Sequence, residues 1–76
     1  MDMTGKELVK FAWNSPRQED RANIMARFIV RNQEEIVCKL EKAGYSQVSI
    51  DRLRQCVDYP TDPVNLKHMR SMLRHI

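Results

Sequence analysis

Glycine is nearly missing from this chain, and with it every motif that depends on glycine. Two glycines in 76 residues, Gly5 and Gly44, cannot build a loop that cradles a phosphate, and none of GxGxxG, GxxxxGK[ST] or GxSxG occurs. The zinc-hydrolase pattern HExxH is missing as well. Only two cysteines are present, Cys38 and Cys56, with no CxxC or Cys/His spacing around them, so neither a zinc site nor a redox pair is indicated. Both are expected to be small buried or half-buried thiols. The two histidines, His68 and His75, stand seven apart with no acid or cysteine at ligand spacing, and are expected to face solvent. Asp51, Asp58 and Asp62 suit turns and caps better than catalysis. The expectation is a protein with no enzymatic role, metal, cofactor or small-molecule substrate.

Long hydrophobic runs are missing too. No apolar stretch approaches the about 18 residues a membrane span needs, so no membrane partner is expected. The opening MDMTGKELVK carries Asp2 and no hydrophobic core segment, which argues against a signal peptide and for an intracellular protein. With 42% hydrophobic and 30% charged residues the composition is that of a globular chain, and 76 residues have room for one domain, 1–76. A domain this short buries only about 60% of the surface its unfolded chain exposes, so its stability is expected to be modest or shared with a partner.

Acidic residues stop at Asp62. Up to that position ten bases face ten acids; beyond it only Lys67, Arg70 and Arg74 are charged, so the whole net charge of +3 resides in the last 14 residues. A polyanion would meet that end of the chain.

What is present is a set of legible helix starts. TGKE, from Thr4 to Glu7, reads as a capping box opening a helix to about Trp13. SPRQ, from Ser15 to Gln18, offers a serine cap with Pro16 in the first turn, and Asp62 with Pro63 repeats the pattern for the last helix. Between Pro16 and Gly44 there is no proline or glycine for 27 residues, while Ala22, Met25, Ile29, Ile36, Leu40 and Ala43 recur at helical spacing. NQEE, from Asn32 to Glu35, is itself a possible capping box, but one continuous helix is the preferred reading over two in series. In PVNLKHMRSMLRHI, Leu66, Met69, Leu73 and Ile76 share one helical quadrant, with Lys67, Arg70 and Arg74 on the adjoining one. With no strand-like alternation, repeat or low-complexity tract, the fold class is all-α with four or five helices.

The stretch KAGYSQVSIDRLRQC, from Lys42 to Cys56, resembles the turn and reading helix of lambda-repressor-like helix-turn-helix regulators. Ala43, Gly44, Ser46, Gln47, Ile50, Arg52 and Leu53 stand at the corresponding places of that pattern. Leu40, Lys39 and Asp51 depart from it, where the family carries a small residue, an apolar one and no acid. The resemblance implies a corner at Gly44, with Ser46 capping a helix that enters the major groove of DNA. Gln47, Ser49 and above all Arg52 would then reach bases and phosphates, while Lys67, Arg70 and Arg74 add phosphate contacts. It also implies a homodimer, because paired half-sites are usual for the motif.

Other readings make the chain a protein-interaction module. Leu40, Ala43, Gly44 and Tyr45, with Met72 and Leu73 near the end, resemble the helix endings of ubiquitin-associated domains. A layout of 4–13, 16–43 and 49–58 resembles the short-long-short rhythm of the histone fold, whose subunits pair. A helical assembly adaptor, with Phe11, Trp13, Met25 and Phe28 as core or interface, is the remaining alternative.

Overall fold

The computed structural model describes residues 3–76. Five helices follow one another: α1 (Gly5–Trp13), α2 (Gln18–Arg31), α3 (Gln33–Lys42), α4 (Gln47–Cys56) and α5 (Pro63–Leu73), with no strand among the described residues.

Three of the expected starts form as the side-chain chemistry dictates. The Thr4 hydroxyl accepts from the Glu7 amide at 3.1 Å and the Glu7 carboxylate accepts from the Thr4 amide at 3.2 Å, closing both halves of the capping box. Asp62 accepts from the Asn65 amide at 3.1 Å with Pro63 in the first turn of α5. Ser46 accepts from the Ser49 amide at 3.3 Å at the head of α4.

Two expectations are corrected. Ser15 does not open α2: its amide donates to Ala12 O at 3.1 Å, which spends the residue on the last turn of α1, and its carbonyl accepts from Arg21 Nε at 2.8 Å. The cap position falls instead to Arg17, whose guanidinium pairs with Asp20 at 2.9 Å. The 27-residue stretch is also not one helix. Asn32 leaves helical geometry at φ −115°, ψ 26°, and its side-chain amide donates to Phe28 O at 3.0 Å, the same carbonyl that its own backbone N–H uses. A side chain bonded back to the preceding turn competes with regular continuation and does not cap the next helix. The Asn32–Glu35 box is accordingly not formed, and the long central helix on which the histone-like layout depends is divided.

The end of α3 is a glycine ending. Gly44 has φ 89°, Tyr45 N donates to Leu40 O and Gly44 N to Glu41 O, both at 3.1 Å. This is the paired bonding of a Schellman ending, which needs a residue in the left-handed region. Ala43, expected in the core stripe, is the exposed cap of α3.

The core takes Leu8, Val9 and Ala12 from α1, Ala22, Met25, Ala26 and Ile29 from α2, and Ile36 with Leu40 from α3. From α4 and α5 come Ile50, Leu53, Cys56, Leu66, Met69, Met72 and Leu73, and among the described residues no polar side chain is buried with them. α1 packs on both α2 and α5, and α4 packs on α5. At Gly5 the α1–α5 approach is so close that a Cβ would lie inside the van der Waals shell of the Leu73 carbonyl. The Cα radius of gyration, 11.3 Å, equals the about 11 Å expected when a chain of this length gathers around one core.

Candidate nucleic-acid interface

The expected site residues separate into three places. Lys67, Arg70 and Arg74 lie along one side of α5, where helical spacing puts them beside the buried Leu66, Met69 and Leu73. The contact of Gly5 with the Leu73 backbone brings the first turn of α1 against the last turn of α5, and Lys6 with it. A groove of about 570 Å³ results, lined by Lys6, Lys67, Arg70, Ser71, Arg74 and His75. Among the described residues its walls hold no carboxylate to cancel the positive potential locally.

Arg70 is the most constrained of these cations. Its guanidinium carbon stands 4.3 Å from the centroid of the Trp13 ring, and that of Arg21 stands 5.3 Å from the same ring. A cation held against an indole keeps its charge while losing rotational freedom. The Arg70 Nε is buried with no hydrogen-bond partner among the described residues. Trp13 thereby positions a charged fork at the groove, and an anion would meet a group already ordered.

Arg52, the residue on which the helix-turn-helix reading places most weight, is half-buried between α4 and α5. Its Nη1 donates to Asn65 Oδ1 at 2.8 Å and lies 3.6 Å from Cys56 Sγ; Asn65 Nδ2 in turn donates to Tyr59 O at 3.0 Å. These bonds tie α4, the loop after it and the start of α5 together. Burial pushes the Cys56 thiol above its ordinary range, with the Asp62 charge adding to the rise and Arg52 opposing it. The thiol therefore stays protonated near neutrality. Cys38, expected to be at least half-buried, is exposed because it falls on the outer side of α3.

Ser46, Gln47 and Ser49 sit at the head of α4. Ser46 and Gln47 are exposed and Ser49 is half-buried. Ser46 Oγ donates to Ser49 Oγ at 3.2 Å, and Gln47 Nε2 donates to Asp51 at 2.9 Å. Asp51 also stands 3.9 Å from Arg54, so this face of α4 carries an acid among its polar groups. The corner and the groove adjoin, since the Tyr45 and His75 rings are 6.4 Å apart.

His68 is not solvent-facing as expected. It is half-buried and its Nε2 is enclosed without a hydrogen-bond partner among the described residues. Burial, and secondarily the Arg52 charge, hold its imidazole below the ordinary range.

Lys6, Ser71 and His75 are groove residues that the sequence reading does not select, and it takes Trp13, which stands against Arg70, only as core or interface. Ser71 and His75 continue the Lys67 row at intervals of four, a signal present in the sequence. Lys6 and Trp13 lie in a different helix, and no local pattern points to them. Among the described residues no three of His, Cys, Asp and Glu converge as metal ligands, and no helix is long and apolar enough to cross a membrane. No protein-family model, characterised protein or solved structure matches the chain, which leaves this geometry as the basis for its function.

Proposed function

We propose that this chain is a non-enzymatic DNA-binding module that seats the phosphate backbone in the α1–α5 groove. The observation that carries the reading is the groove itself: five cation-capable side chains from α1, α5 and the two residues after it, and no carboxylate among the described residues of its walls. Phosphate contacts of this kind supply affinity without sequence information. Ser46, Gln47 and Ser49, beyond Tyr45 at the head of α4, are the groups nearest the groove's end that could touch base edges. Arg52 supports them by holding α4 on α5, with its remaining N–H groups available to a phosphate.

Fluorescence anisotropy of a labelled mixed-sequence duplex, titrated at about 50 mM and about 200 mM salt, tests this reading. Binding at low salt should weaken by about one order of magnitude or more at the higher salt, since each phosphate contact contributes about 0.9 to the logarithmic slope. Absence of binding at the lower salt overturns it.

A further inference from the structure

On the other flank of α1 lies a groove of opposite character. Between α1 and α2 lies a hollow of about 430 Å³ whose apolar lining is Met3, Leu8, Phe11, Ile24 and Phe28. Phe11 is 54% exposed, whereas Leu8, Val9 and Ala12 of the same helix are buried. Arg27 and Arg31 stand one turn apart along the rim, about 6 Å in helical rise, and among the described residues the lining contains no carboxylate. Beyond the two arginines the apolar surface continues to Val30, 58% exposed, and to Val57 and Pro60.

We infer that this groove docks an acidic amphipathic helix of a partner protein. A trough between two helices, lined with large apolar side chains, suits the anchors that such a helix presents at i, i+3 or i+4, and i+7. Two rim cations one turn apart match carboxylates one turn apart on a helix lying alongside. A nucleic-acid backbone would satisfy the arginines and leave the aromatic walls wet. A second copy of this chain docked face to face would set Arg27 and Arg31 against their own like charges. The inference is independent of the DNA reading, which concerns the opposite flank of α1.

The test uses a labelled synthetic helix of about four turns, with Leu and Phe anchors at heptad spacing and Glu beside them, and a second peptide with Lys in place of each Glu. Anisotropy gives affinity, and amide shifts of the isotope-labelled chain give location. The acidic peptide is expected to bind at least about tenfold more tightly than its lysine counterpart, with shifts on α1 and α2 around Phe11 and Phe28. Phe11→Ser and the pair Arg27→Glu, Arg31→Glu should each weaken it about tenfold or more while leaving the circular dichroism spectrum and melting temperature unchanged. Equal affinity for the two peptides, shifts confined to α5, or no binding up to about 1 mM overturns the inference. So does concentration-dependent self-association that maps to the same groove, which would name a second copy as the occupant.

Discussion

At the residue scale, the positions that decide most are those where a single atom is allowed or forbidden. Gly5 has no space for a Cβ because the Leu73 carbonyl occupies it, whereas at Gly44 space is open and the obstacle is the backbone angle of 89°. Gly5→Ala should therefore cost about 1–3 kcal/mol through overpacking. Gly44→Ala should cost about 1–2 kcal/mol through left-handed strain alone. Urea denaturation of both variants checks the pair; an unchanged midpoint for Gly5→Ala would refute the close approach of α1 and α5. His68 makes a second prediction. Its folded form is held below the ordinary imidazole value, so the unfolded chain binds the proton more readily. Stability from this residue is full above about pH 6.5 and declines as the pH falls from there toward the lower folded value. The midpoint lost between about pH 7 and about pH 5 should be smaller in His68→Gln than in the parent chain, and an equal loss would place the titration elsewhere.

At the element scale, helix starts are legible wherever the capping side chain has no competing local partner. Thr4, Ser46 and Asp62 each accept from the amide three residues on, as the sequence implies. Asp62→Ala should lower stability by about 1 kcal/mol, measured by denaturation, whereas Ser15→Ala, at a residue that caps nothing, should leave it nearly unchanged. Ser15 and Asn32 mislead because each has two uses within one turn: Ser15 closes α1, and Asn32 bonds back to Phe28. Periodicity does not reveal the break at Asn32, since Ile29 and Ile36 stay in helical phase across it and both are buried. The corner at Gly44 is readable from local chemistry, but the orientation of Arg52 is not. Its partner Asn65 lies 13 residues away on α5, and only the packing of α4 on α5 brings the two together.

At the scale of the whole molecule, α1 separates two surfaces of different chemistry, one cationic toward α5 and one apolar with an arginine rim toward α2. The two should act independently. Replacing Lys67 and Arg74 by Gln should weaken duplex binding about equally across sequences and reduce the salt slope by about 2, while binding of the acidic helix stays within about twofold. Replacing Arg27 and Arg31 by Gln, which removes the same two charges, should do the converse. Loss of duplex binding in the second variant as great as in the first would mean that the chain's overall charge, and not the groove, attracts the polyanion.

The helical class, the heads of α1, α4 and α5, the left-handed corner and the basic side of α5 were determined by the sequence alone, because each depends on side chains within about one or two turns of one another. The pairing of Lys6 with α5, the stacking of Arg70 on Trp13, the use of Arg52 as a tie and the exposure of Phe11 were decided only by tertiary structure. These join residues of separate helices, and which helices meet is settled by how their apolar faces pack, a choice that no local pattern records.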